Sequence, residues 1–107
     1  MSRKKNPETK YKAYDASDIE VINDLIVDEC NRIKELLLEK NVNYNNSLHT
    51  QPPLFDVDPR VGLMARINDK LNRIKQVGLN DVTEDSLDDL IGYLIHLRIS
   101  LRINNNY

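Results

Sequence analysis

Apolar residues recur at helical spacing in the middle of this chain, and basic residues share the same side of the predicted helix. The apolar stripe consists of Leu63, Met64, Ile67, Leu71 and Ile74. Lys70 falls in the same sector, and Arg66 and Arg73 flank it. A surface helix normally keeps its cations on the face opposite its apolar stripe. The three basic groups therefore predict either a buried ion-pair network or a site for an anion.

Two further segments have helical spacing, and no alternating strand pattern competes with them. The first helix is predicted over residues 17 to about 40, where Ser17 and Glu20 form a capping box. The middle helix is predicted over residues 58–77, because an aspartate can cap it and a proline suits its first position. Thr83 is the predicted cap of a third helix that continues to about residue 103.

The sequence thus predicts an all-α fold, a small bundle of three main helices with a long ordered loop. A basic flexible arm (1–15) and a tail (104–107) flank a single helical domain (16–103). The third helix is apolar around most of its circumference, and its leucines are Leu87, Leu90, Leu94, Leu97 and Leu101. One chain would leave much of that surface exposed, so we expect a homo-oligomer, most simply a dimer, built through this helix.

Residues 41–57 form a longer connection than compact helical domains normally use. Tyr44, Leu54 and Phe55 give this loop apolar surface to bury. We therefore expect an ordered loop that lies across the bundle. His49 has no neighbouring ligand spacing and is predicted only to line the loop.

Composition excludes several classes of protein. The net charge of −2 argues against non-specific nucleic-acid binding, and the basic arm is interpreted as a solvated terminus or as a contact for phosphates. The single cysteine excludes an internal disulfide and a cysteine-rich zinc site. The chain contains no signal-peptide pattern and no apolar run that would span a membrane, so we expect a cytoplasmic protein.

Glu29 falls within the apolar stripe of the first helix, between Ile26 and Ile33. A buried carboxylate needs a cation, a metal or a hydrogen-bond donor beside it. One interpretation is a Glu29–Lys70 bridge between the first two helices. The other is a Mg²⁺ ligand or a ligand-binding group.

The third helix carries a polar stripe of Asp85, Asp89, Gly92 and His96 opposite its leucines. Two carboxylates one turn apart can share a divalent ion, and the histidine would then serve as an acid, a base or a donor. The alternative is a solvated stripe, since acidic residues are favoured in the first turn of a helix. The pattern leaves both open and assigns no catalytic residue.

Three segments in this order resemble a family of phages and bacteria called nucleotide modification associated domain 1. They are Lys40-Asn41-Val42-Asn43-Tyr44-Asn45-Asn46-Ser47, Arg66-Ile67-Asn68-Asp69-Lys70 with Arg73, and Asp85-Ser86-Leu87-Asp88-Asp89-Leu90-Ile91-Gly92-Tyr93. Family members show a lysine-asparagine-x-aspartate-tyrosine-glycine-x-serine segment, an arginine…aspartate-lysine…arginine helix and an aspartate…aspartate…tyrosine helix. The last segment is also similar to the acidic helix of MazG-like and dimeric dUTPase-like all-α nucleoside triphosphate pyrophosphatases, which hold Mg²⁺ over a triphosphate.

The resemblance implies a nucleotide site. It would place Asp85 and Asp89 beside a metal, and Lys70 and Arg73 beside phosphates. Our hypothesis adds Glu29 as a third metal ligand and Arg66 as a third phosphate-binding residue. Tyr44 and Asn46 would belong to a pocket for the base or sugar.

This chain departs from the family pattern at two positions, where the family's aspartate is Asn43 and its glycine is Asn45. The glutamate cluster of the pyrophosphatases is also incomplete, because helix one offers only Asp28-Glu29 before Arg32. Fewer carboxylates would weaken Mg²⁺ binding.

Three hypotheses about function follow. The first is a phage-type nucleotide-binding protein that extends to Mg²⁺-dependent hydrolysis of a nucleoside triphosphate. The second is a non-enzymatic sponge for a nucleotide or cyclic-nucleotide signal, or an inhibitor of a host defence protein. The third is a structural oligomerisation module.

Overall fold

The computed structural model describes residues 17–50 and 58–103, and in these residues it confirms an all-α fold of three helices without strands. The helices are α1 (Ile19–Tyr44), α2 (Pro59–Val77) and α3 (Ser86–Ile103). A short 3₁₀ helix, Ser47–His49, follows α1. The predicted arm (1–15), the predicted tail (104–107) and residues 51–57, with Leu54 and Phe55, lie outside the described residues.

An aspartate side chain caps the start of each α-helix. Asp18 Oδ1 accepts hydrogen bonds from the amides two and three residues further along, at 2.9 and 3.3 Å. Asp58 and Asp85 each accept one such bond at 2.9 Å. The predicted cap of α2 is therefore confirmed. The predicted caps at Ser17 and Thr83 are wrong, because a carboxylate one or two residues later is the stronger acceptor for the free amides.

The ends of α1 and α2 both depend on residues with a positive φ. α1 continues to Tyr44, so residues 41–44 of the predicted loop are helical. Asn45 and Asn46 then adopt φ values of 54° and 61°, a left-handed conformation that asparagine tolerates better than most residues. Gly78, with φ of 83°, ends α2 as predicted and donates its N–H to the Ile74 carbonyl at 2.8 Å.

The chain divides into two compact units, and the boundary along the sequence lies within α1, between Lys34 and Glu35. The described part of the first unit, residues 17–34, is the N-terminal portion of α1. Its side chains are mostly exposed, although Ile33 is buried. Glu29 is exposed and forms an ion pair with Arg32 on the same helix, so its predicted burial is wrong.

The second unit contains the rest of α1, the 3₁₀ helix, α2 and α3. α2 packs against α3, and the 3₁₀ helix contacts both. Leu63 of α2 is fully buried. Across the described ranges of the whole chain, Ile33 and Leu63 are the only buried apolar side chains.

α3 turns its small and polar residues inward. Its buried residues are Ser86, Gly92, His96 and Ser100. Leu87 and Leu94 are instead 43% and 48% exposed. In the polar stripe predicted from the sequence, Gly92 and His96 are thus buried, Asp89 is partly buried and Asp85 is exposed.

In the portion of the chain that the structure describes, no helix is both long and apolar enough to cross a membrane.

Candidate functional site

A cleft of about 360 Å³ lies within the second unit, between the end of α1, the 3₁₀ helix, α2 and α3. Its lining from α1 and the 3₁₀ helix is Leu37, Lys40, Asn41, Tyr44, Ser47 and Leu48. Its lining from α2 and α3 is Arg66, Asp88, Asp89, Gly92, Tyr93 and His96. A volume in this range, with aromatic and polar groups in the wall, suits a small ligand.

Gly92 allows α1 and α3 to approach each other beside this cleft. A Cβ atom built on Gly92 would lie 2.8 Å from Leu37 Cδ2. Any larger residue would have to displace the end of that leucine side chain. Gly92 therefore has a packing role in this structure.

Asp89 joins the three helices through two lysines. One carboxylate oxygen lies 3.2 Å from Lys40 Nζ of α1, and the other lies 3.0 Å from Lys70 Nζ of α2. Lys70 also binds Glu84 at 2.7 Å, and Glu84 accepts a bond from the Ser86 hydroxyl at 3.0 Å. The hydrogen bond to Glu84 raises the pKa of Lys70, and Asp89 adds to this effect.

Arg73 fixes the connection between α2 and α3. Its Nε lies 2.6 Å from Asp81 Oδ2, and its Nη2 donates to the Thr83 hydroxyl at 2.6 Å. Thr83 in turn donates through its amide and its hydroxyl to Asp81. These bonds hold the pKa of the Asp81 carboxyl far below its usual range, with Arg73 the main cause.

Arg66 is the cation of the cleft without a carboxylate partner among the described residues. Its guanidinium carbon lies 5.9 Å from the centre of the Tyr93 ring, which is within cation–π range. Lys40, by contrast, is paired with Asp89. The cleft therefore offers one guanidinium that an incoming anion can bind without first displacing a carboxylate of this part of the chain.

The two histidines of the chain meet beside the cleft. His49 Nε2 lies 2.9 Å from His96 Nδ1, and the ring centres are 5.0 Å apart. Burial lowers the pKa of both imidazoles, and the neighbouring His49 lowers that of His96 further. The prediction that His49 only lines the loop missed this bond, because the two residues are far apart in the sequence.

Asn46 shapes the turn that follows α1. Its side-chain oxygen accepts a bond from Asn41 Nδ2 at 2.6 Å, and its amide donates to the Asn41 carbonyl at 3.3 Å. Asn41 itself lines the cleft. Asn46 thus holds Asn41, a residue of the cleft wall, in position.

The predicted site residues therefore separate into three groups. Arg66, Tyr44 and Asp89 line the cleft. Lys70 and Arg73 do not line it and form ion pairs with acids of the α2–α3 connection and α3. The remaining candidates, which do not line it, are Asn46, Asp85 and Glu29.

Sequence reasoning did not assign Lys40 and Tyr93 to a ligand, although both line the cleft. Both stand within the segments that carry the family resemblance, so that signal was available. His96 was named as a candidate acid, base or donor in the polar stripe, and it does line the cleft.

Each predicted magnesium ligand is already engaged by a protein donor. Glu29 pairs with Arg32, Asp85 accepts the α3 amide and Asp89 binds two lysines. Among residues 17–50 and 58–103, no three acidic, histidine or cysteine side chains are grouped closely enough to hold a metal ion. As arranged here, these carboxylates do not fit a magnesium site, and a metal role for them stays a prediction.

No protein-family model, curated protein or solved structure matches this chain with significant similarity.

Proposed function

We propose that this protein binds a nucleotide or cyclic nucleotide in the cleft, with a phosphate held by Arg66. The observation that carries the proposal is the position of this guanidinium. It lines the cleft, lies over the Tyr93 ring and has no acidic partner in the described part of the chain. Arginine binds phosphate oxygens through paired N–H donors, and such charge-assisted bonds are stronger than neutral ones.

The rest of the cleft wall favours a nucleoside over a bare anion. Tyr44 and Tyr93 present aromatic rings, on which a base can stack. Asn41, Ser47 and His96 add uncharged hydrogen-bonding groups. Beside the Lys40–Asp89 ion pair and Asp88, the wall thus offers one guanidinium without a carboxylate partner in the described residues, aromatic rings and neutral polar groups, which match the mixed chemistry of a nucleotide.

Lys70 and Arg73 support the site indirectly in this proposal. Both cations are satisfied by carboxylates, so a phosphate would have to compete with Glu84, Asp89 or Asp81 for them. Lys70 instead holds Asp89, and Asp89 holds Lys40 at the cleft. This arrangement corresponds to the ion-pair network, which is one of the two interpretations of the basic residues on the middle helix.

The test is to measure binding with one cation removed from α2. Arg66→Gln should weaken the affinity for the best-binding member of a nucleotide panel by about tenfold, given roughly 1.5–3 kcal/mol for a bond to a charged group. Lys75→Gln removes the same charge from the same helix at an exposed position outside the cleft, and it serves as the matched control. Isothermal titration calorimetry with nucleoside triphosphates and cyclic nucleotides, with and without Mg²⁺, provides the affinities. Equal affinity in both variants would contradict the proposal.

Hydrolysis of the bound nucleotide is a separate prediction. The engagement of Glu29, Asp85 and Asp89 by protein donors favours binding without turnover, as in a nucleotide-signal sponge. Pyrophosphate release from the common nucleoside triphosphates with Mg²⁺ or Mn²⁺ decides between the two. Release that disappears in Asp89→Asn would support the hydrolase, because asparagine keeps the shape of aspartate but loses the charge that binds the ion.

We also propose that the protein acts as a homo-oligomer built through the leucine face of α3. Leu87, Leu94 and Ile95 are substantially exposed, and among residues 17–50 and 58–103 Ile33 and Leu63 are the only buried apolar side chains. Exposed apolar patches of this kind mark sites of association. The structural oligomerisation module is the form of this proposal in which the cleft has no ligand.

A further inference from the structure

His96 is the most deeply buried polar side chain that lines the cleft. Its residue surface is only 9% exposed, and its Nδ1 lies 2.9 Å from His49 Nε2. Its second ring nitrogen, Nε2, has no partner among the described residues. A buried nitrogen of this kind needs a hydrogen-bond partner, from a ligand or from water.

Both imidazoles are neutral near pH 7. Burial lowers the pKa of His49 and of His96, and the neighbouring His49 further disfavours a charge on His96. The bond between them also requires one N–H and one free lone pair, so at least one ring must be neutral. A neutral imidazole binds through hydrogen bonds and does not neutralise a phosphate.

The cleft separates charged groups from this neutral pair. Lys40, Asp88 and Asp89 are at one end of the α3 wall, whereas His96 lies seven residues after Asp89. Seven residues correspond to about 10 Å along a helix axis. Tyr93 lies between these groups along α3, three residues before His96, and Arg66 of α2 contacts its ring.

We propose that His96 recognises the uncharged part of the ligand, the base or sugar of a nucleotide, through its Nε2. His49 is a positioning residue that holds the ring. The inference rests on the proposed function and assigns a second contact within that site. Since the pair can adopt either tautomeric arrangement, Nε2 offers an N–H donor in one and a lone-pair acceptor in the other.

Two substitutions of His96 separate ligand recognition from a structural role. An asparagine amide takes the place of Nδ1 and keeps the contact with His49, but it does not reach the position of Nε2. A glutamine amide reaches the position of Nε2 but does not reproduce Nδ1. The probes are the four common ribonucleoside triphosphates, 3′,5′-cyclic AMP and cyclic GMP, and inorganic tripolyphosphate, measured by calorimetry at pH 7.5.

We expect His96→Asn to weaken the best nucleotide by about tenfold, the upper range for a single neutral hydrogen bond. His96→Gln should stay within about threefold of the unmodified protein. Tripolyphosphate should bind all three proteins equally, because it has no base or sugar. Circular dichroism verifies that the variants are folded.

The outcomes distinguish this inference from the proposed function. If His96→Asn retains nucleotide affinity while His96→Gln loses it, the pair is structural and the inference is wrong, although the nucleotide site stands. If nucleotides bind no tighter than tripolyphosphate, the cleft is only an anion site and the inference also fails. If no probe binds the unmodified protein, the proposed function fails and the inference falls with it.

A measurement on the unmodified protein covers the case in which the variants do not fold. Side-chain ¹⁵N chemical shifts of the two histidines report which nitrogen gains a hydrogen bond. Addition of the best nucleotide should move the Nε2 resonance of His96, and tripolyphosphate should leave it in place. An unchanged Nε2 resonance under saturating nucleotide would overturn the inference.

Discussion

The two faces of α3 differ in a way that reverses the usual pattern of an amphipathic helix. The face toward the rest of the unit contains Gly92 and His96, whereas Leu87 and Leu94 are on the exposed side. A surface helix of an isolated domain normally buries its leucines and exposes its polar groups. The inward polar face builds a cleft, and the outward apolar face is available for association.

The inward face makes ion pairs and hydrogen bonds with the rest of the unit. Asp89 binds Lys40 and Lys70, and His96 binds His49. The outward face instead presents leucine and isoleucine side chains. We therefore expect charge substitutions and changes of pH to affect the inward face, and substitutions of apolar residues to affect the outward face.

The largest expected effect comes from a charge on the outward face. Leu94→Asp should dissociate the oligomer, because a carboxylate buried in a leucine contact would have no partner. Light scattering at micromolar concentration measures the mass. Val82→Asp is the control, since Val82 is 98% exposed and lies outside α3. If the unmodified protein is a monomer, the proposal that the outward face associates with a second copy is wrong.

Loss of Lys70 tests the inward face at its ion-pair network. Lys70 is 17% exposed and holds both Glu84 and Asp89, so Lys70→Ala removes the ion pair of Glu84 and leaves Asp89 with Lys40 alone. We expect a loss of about 1–3 kcal/mol in the free energy of unfolding, which is measured by urea denaturation.

Lys75→Ala is the matched control, because Lys75 is exposed on the same helix. Its free energy of unfolding should change little, as is usual at the surface. A Lys70→Ala variant with unchanged stability but about tenfold weaker nucleotide binding would instead assign Lys70 to the phosphate, as the family resemblance implies.

The fold class was predictable from the sequence because helical periodicity is a local signal. The extents of α2 and α3 follow from Pro59, Gly78 and the leucine spacing. The partners of Lys70 and His49 were not predictable, because they depend on which faces meet across long sequence separations. The inward position of the polar stripe was missed for a related reason: apolar residues are expected inside a monomer, whereas Leu87 and Leu94 of this helix are exposed among the described residues.

A smaller effect separates two glycines that lie within helices, Gly62 near the start of α2 and Gly92 in the interior of α3. A Cβ atom added to Gly62 of α2 would have no neighbour within 4 Å, whereas one added to Gly92 would meet Leu37 at 2.8 Å. Alanine stabilises a helix interior by roughly 1 kcal/mol relative to glycine. Gly62→Ala should therefore raise the melting temperature, and Gly92→Ala should lose this gain because Leu37 must move. Equal gains in both variants would show that the inward face of α3 is not closely packed.

The smallest expected effect is a dependence of stability on pH that arises from the inward face alone. The pKa values of His49 and His96 are lowered in the folded protein, so below the usual value of 6.5 the unfolded chain binds more protons than the folded one. Stability should therefore fall as the pH decreases from about 7 toward 5. If both rings were charged, an N–H group of one would also face an N–H group of the other.

His96→Gln removes one titrating ring, so urea denaturation should show a shallower fall in stability between pH 7 and 5. Below the usual glutamate pKa of 4.5, a further fall is expected in both proteins, because the lowered pKa of Glu84, due mainly to Lys70, and that of Asp81, due mainly to Arg73, still apply. An equally steep fall between pH 7 and 5 in His96→Gln would assign the effect to other groups and leave the histidine pair without a measurable role in stability.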